Sequence, residues 1–248
     1  MAAEGVFNHA KSLDDKLEAY TYQLLCEIEE KSDYSQGLKD GLKILDLYGF
    51  SISQDISKAY MTKEEMKLKM ALKNRSYSCL TSLPLIKDEP IFYLFATVQK
   101  YAYYTGNEKH VMVIAWKAIR HSMKRGMDRW LPLILAILAS SYAKQNKVKT
   151  AQELANVALS LCDKIPDDME TCALTRMLAH GSVMTQLQPF SSSVETILQC
   201  HKDLKLVGGM TEAIFGSMVR ATFCIPHFNF LHLIFLIYHI SFLLLPHS

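Results

Sequence analysis

Histidine and cysteine are the side chains of this sequence that could transfer, cleave or ligate, so their spacing comes first. His110 and His121 stand eleven residues apart, three helical turns along one face, which at helical rise is about 16 Å. One metal cannot take both as ligands, and the pair reads as two surface histidines. Cys200 and His201 are adjacent and so diverge on a helix, whereas a thiol–imidazole pair in catalysis must converge. The six cysteines, at positions 26, 79, 162, 172, 200 and 224, form no C-x-x-C pair and match no zinc-ligand spacing. They read as buried or half-buried thiols in a reducing cytosol. H-E-x-x-H, G-x-x-x-x-G-K-[ST], H-R-D and D-F-G are all missing from the sequence, which removes the usual metalloprotease, nucleotide-cradling and kinase readings. The expectation is a non-catalytic protein with no cofactor, metal or small-molecule ligand; an enzyme of unrecognised class is the remaining alternative.

Composition points the same way. Half of the 248 residues are apolar and 21% are charged, a globular balance. Lys plus Arg number 27 against 25 acidic residues, so no nucleic-acid partner is expected at a net charge of +2. The basic run Lys63–Arg75 is interleaved with Glu64 and Glu65 and reads as a solvated helix face. The start of the chain lacks the basic and apolar regions of a secretory signal, and a cytoplasmic body is expected.

Positioning falls to helices. Ser12 can cap a helix over 12–31, along which Leu13, Leu17, Tyr20, Leu24 and Ile28 recur at three- and four-residue spacing. A second helix carries Leu38, Leu42, Leu45 and Leu47 and stops at Gly49, and a third over 62–76 takes Thr62 as its cap. Pro84 and Pro90 interrupt the pattern at 80–90, where the body could subdivide. Helical periodicity resumes over 91–106, 108–126, 129–145, 147–165, 167–184, 191–209 and 210–223. No convincing period-two strand appears; "FSISQDIS" at 50–57 is too short and isolated to start a sheet. The fold class is all-α.

The helices also look paired. Leu135, Leu138, Ala139, Tyr142, Ala151, Ala155 and Ala158 follow a tetratricopeptide-like (TPR-like) spacing, in which small residues let two antiparallel helices approach closely. Residues 21–44 repeat the register weakly, with Gly37 and Gly41 at small positions, and 168–206 have the length of a third pair. Stacked pairs imply an α-solenoid whose first helices form a concave surface. For the best unit that surface comprises Leu133, Ala136, Ser140 and Lys144, which are expected to bind a protein segment. The aromatic residues Phe92, Tyr93, Phe95, Tyr101, Tyr103 and Tyr104 are expected to pack between helices or to line a partner groove.

The order of "LPLIKDEP" (83–90), "SMKRG" (122–126), an alanine-rich helix pair and Gly208–Gly209 resembles a known helical region over residues 12–223. It is the segment that follows the nucleotide-binding module in very large signalling ATPases of the AAA or STAND type. Those chains often also carry kinase, GAF and histidine kinase or cyclase domains. The resemblance implies a TPR-like sensor or protein-binding arm, here a fragment without its ATPase engine.

The end of the chain is of another kind. After Arg220 no charged side chain occurs, and residues 224–248 form an apolar tail behind an N-terminal lead at 1–11 and the helical domain at 12–223. A helix over 223–245 would span a hydrocarbon core of about 30 Å. It reads as a membrane anchor with the domain on the cytosolic side, or as a translated segment outside the functional protein.

Overall fold

Three-residue and four-residue apolar spacing, few glycines and well-placed caps leave this chain little choice but helix, and the computed structural model describes residues 13–31, 33–87, 89–189 and 191–208. Among these residues the helices are α1 (Leu13–Lys31), α2 (Tyr34–Leu47), α3 (Lys58–Ala71), α4 (Pro90–Tyr104), α5 (Glu108–Arg125), α6 (Leu131–Lys144), α7 (Val148–Cys162), α8 (Met169–Leu178) and α9 (Ser191–Leu206). A 3-10 turn, Tyr77–Ser82, precedes α4, and α8 runs on into a π turn, Ala179–Val183. No strand forms among the described residues; Leu85 and Met127 make an isolated bridge. The stretches 1–12 and 209–248, which include the tail and the expected helix at 210–223, lie outside the described residues.

Side-chain oxygens start several helices. The Asp33 carboxylate accepts the Gln36 N–H at 2.9 Å and the Asp168 carboxylate accepts that of Thr171 at 3.0 Å. Helix α3 begins earlier than its sequence suggests. Ser57, not Thr62, is the cap and accepts the Tyr60 N–H at 3.1 Å, while the Thr62 hydroxyl donates to the Lys58 carbonyl. The added turn brings Tyr60 and Met61 against the core, contacts that a start at Thr62 would lose.

The helices pack as a series of pairs. α1 lies on α2, α4 on α5, α6 on α7 and α8 on α9, while α2, α4, α6 and α8 also touch in succession as one row. The α6–α7 interface is the most extensive. Leu135, Leu138, Ala139, Ala151, Ala155 and Ala158 are all fully buried there, as the small-residue spacing requires. Gly41 serves a different neighbour from its pair-mate: a Cβ there would collide with Val98 of α4. Leu47, expected on the apolar stripe of α2, is 55% exposed because it closes the last turn.

Helix α6 dominates the interior. Thirteen of its fourteen residues, Leu131 through Ala143, are buried, so α4, α5, α7 and α8 enclose it. Gln99 of α4 braces this centre, its amide donating to the Val111 carbonyl at 3.4 Å and the Ile134 carbonyl at 3.1 Å.

The interruption at 80–90 is clasped to the α5–α6 junction. Met127 N–H donates to the Pro84 carbonyl at 2.8 Å and Ile86 N–H to the Met127 carbonyl at 2.9 Å. Buried Asp128 accepts the backbone N–H groups of Glu89 and Trp130 at 2.9 and 3.0 Å. "LPLIKDEP" and "SMKRG" therefore meet in space. Gly126 makes this approach feasible, with φ +119° and ψ 178°, a region that only glycine occupies readily. A Cβ at Gly126 would stand 2.8 Å from the Pro84 carbonyl oxygen. Gly126→Ala should cost about 3 kcal/mol from backbone strain and crowding together. Urea unfolding measures it, and a loss below about 1 kcal/mol would show that the clasp yields to a side chain.

Candidate functional site

Because α4, α6 and α8 are neighbours in one row, the seam between them is where first helices of successive pairs meet. A cleft lies along it. Lys100, Tyr103 and Tyr104 of α4 form one wall, Leu133 and Ile137 of α6 the floor, and Leu174, Met177 and Leu178 of α8 the other wall. The volume is about 20 Å³, room for the tip of one apolar side chain. Cofactor-sized ligands need about 300 Å³ or more.

The rim is aromatic and basic. Tyr104 is 38% exposed, and Tyr34 stacks edge-on against it with centroids 5.2 Å apart. The Lys144 ammonium sits 3.8 Å from the Tyr103 ring centroid and 3.4 Å from the Glu108 carboxylate. Such a cation over a ring fixes both groups.

The four positions expected on the concave surface divide. Leu133 reaches the cleft floor and Lys144 covers the Tyr103 ring at the rim. Ala136 and Ser140 are fully buried, and the Ser140 hydroxyl donates back to the Ala136 carbonyl at 3.0 Å. Their side of α6 is covered within the packing of α4, α5, α7 and α8 around that helix. Of the aromatic cluster, Phe92 and Phe95 are entirely buried and Tyr93 packs on Trp130, while Tyr103 and Tyr104 line the cleft.

The histidines are not both on the surface. His110 is only 8% exposed, its Nε2 3.2 Å from the Ser53 carbonyl. Burial lowers its pKa, and the Ser53 carbonyl only partly opposes that. His121 is half-buried between the Phe50 and Phe92 rings, with Nε2 3.2 Å from the Glu89 carboxylate that Arg125 also approaches at 3.6 Å. This carboxylate–imidazole pair belongs to the clasp rather than to a cavity. His180, on the π turn, stands 3.5 Å from the Ser193 hydroxyl. Ser193 is fully buried. Burial also holds the His180 pKa low, with Arg176 acting in the same direction.

The thiols are free: Cys162, Cys172 and Cys200 are buried, Cys79 is partly buried and Cys26 is exposed; Cys224 lies outside the described residues. Cys172 Sγ points at the carbonyls of Cys162 and Ile165, 3.7 and 3.4 Å away, and so closes the end of α7. Burial pushes the Cys200 thiol up to about 11. Among the described residues no group of three or more His, Cys, Asp or Glu is placed to hold a metal ion, and no helix is long and apolar enough to cross a membrane.

Glu64 of α3 carries the densest ion-pair cluster. Its side chain is 2% exposed, 2.7 Å from Arg120, 2.6 Å from Lys67 and 3.8 Å from Lys117. Burial alone would raise its pKa, but Lys67, Arg120 and Lys117 together bring it below the ordinary value. The Lys117 and Arg120 pairs join α3 to α5, while Lys67 lies on α3 itself. Sequence spacing did not single out Glu64, since nothing in the run distinguishes it from exposed Glu65.

No protein-family model, curated protein or solved structure matches the chain.

The lowered histidines set a pH dependence. His110 is held neutral in the fold, below its ordinary 6.5, so the unfolded chain binds more protons below that value. Its stabilising contribution is full above 6.5 and is lost as pH falls through the lower folded value. The urea midpoint should therefore drop between about pH 7.5 and about pH 5.5, and His110→Gln should flatten that drop. An unchanged slope in the variant would contradict this assignment.

Proposed function

We propose that this chain is a non-catalytic helical-repeat arm, a TPR-like solenoid in which α4, α6 and α8 are the first helices of successive pairs. Its cleft binds a protein segment by taking one apolar side chain between Tyr103, Tyr104 and the α8 wall. The observation that carries the reading is that all cleft residues come from alternate helices, α4, α6 and α8, the row that faces inward in a stack of pairs. An apolar floor with a tyrosine and lysine rim suits a buried anchor surrounded by polar contacts. The further reading as the sensor or scaffold arm of a signalling ATPase rests on the sequence motifs quoted above.

A photo-crosslinking residue placed at Tyr104 in the full chain tests this, with exposed Lys149 on α7 as the control position. The expected result is a protein adduct from position 104 and none from 149. Tyr104→Ala should then weaken binding of that partner about 30-fold, the effect of losing an aromatic anchor, with the thermal midpoint little changed. Adducts from position 149 alone, or a partner indifferent to Tyr104→Ala, would contradict the cleft reading.

A further inference from the structure

The charges along α3 alternate in sequence but not in space. At 100° per residue, Lys63, Met66, Lys69 and Met70 fall in one sector, and Glu64 and Leu68 fall opposite; Lys73 follows the helix, in the left-handed turn (φ +52°) that ends it. The structure keeps that division. Met66 and Met70 are 54% and 68% exposed, and Lys63, Lys69 and Lys73 are exposed around them. Glu64, 1% exposed, turns inward, where Arg120 and Lys117 of α5 neutralise it. Glu65 pairs with Lys69 at 2.9 Å. Lys63 and Lys73 have no acidic partner among the described residues. A chain of net charge +2 thus presents one outer helix face that is basic, with two exposed methionines one turn apart at its centre.

We propose that this face of α3, together with Lys73 just beyond its end, docks on an anionic lipid surface, with Lys63, Lys69 and Lys73 at the phosphates and Met66 and Met70 at the headgroup–acyl boundary. Charge complementarity and shape together select this partner. Lysines on either side of an apolar stripe are the pattern of a helix lying in a bilayer interface. Nucleic acid would satisfy the lysines yet leave both methionines against phosphate and water. An acidic peptide helix needs a groove, and a single outer helix is convex. Leu68, Leu72 and the Glu64 pairs hold α3 from its inner side, so the outer face can dock without disturbing the fold. α3 contributes nothing to the cleft, and the two readings stand or fall separately.

Co-sedimentation of the full chain with phosphatidylcholine vesicles, with and without phosphatidylserine, tests the proposal. Pure phosphatidylcholine controls for the charge-free segment after Arg220, which does not discriminate by headgroup charge. Partitioning should rise with phosphatidylserine and fall with added salt. Lys63→Gln with Lys73→Gln should remove about 30-fold of the phosphatidylserine-dependent part, and Met66→Ser with Met70→Ser should also lower it. All four side chains are exposed, and an unchanged thermal midpoint shows that the variants fold. Equal binding to both vesicle types would overturn the proposal, as would lysine variants that bind like the parent. Tight binding of single-stranded RNA without phosphatidylserine dependence would also overturn it.

Discussion

Helix α6 cannot face water. From Leu131 to Ala143 every residue is buried, and a helix that is apolar around its whole circumference needs neighbours on every side. The other helices answer that demand. α7 supplies the close contact through Ala151, Ala155 and Ala158, α5 lies across another side, and α4 and α8 close over the rest. The cleft is what remains where α4 and α8 do not quite meet above Leu133 and Ile137. An apolar cleft is thus a consequence of enclosing one helix.

Two devices keep the enclosing helices in place. Gln99 ties α4 to the carbonyls of α5 and α6 in a fully buried setting, where a hydrogen bond is hard to exchange for water. The clasp of 83–90 on 126–130 then fixes the entry to α4 and the entry to α6 relative to each other. It is built mostly from backbone groups and one buried carboxylate, so its strength depends on the close approach that Gly126 permits.

Much of this was legible in the sequence and some of it was not. The helices of the described residues follow from periodicity, and the close α6–α7 pairing follows from small residues at the right spacing. Repeat logic also offered Ala136 and Ser140 as a contact surface, because it assumes that the first helix of a pair keeps one open face. In this chain that face is covered, and the apolar run "LPLILAIL" was the available sign. His110 is buried and His121 half-buried because long-range partners, Ser53 and Glu89, reach them from other segments. The same holds for Glu64: only the placement of α5 separates it from Glu65. The clasp depends on two motifs about forty residues apart meeting, which spacing within one sequence does not reveal.

The central claim is that α6 is the enclosed helix on which the packing rests. Amide hydrogen exchange of the full chain, followed by fragment mass spectrometry, tests it most directly. The amides of 135–143 should be the slowest in the molecule and should exchange only through global unfolding, sharing its denaturant dependence. The outer helix α3 should exchange much earlier through local opening. Amides of α6 that exchanged as fast as those of α3, or that opened independently of the rest, would contradict the account.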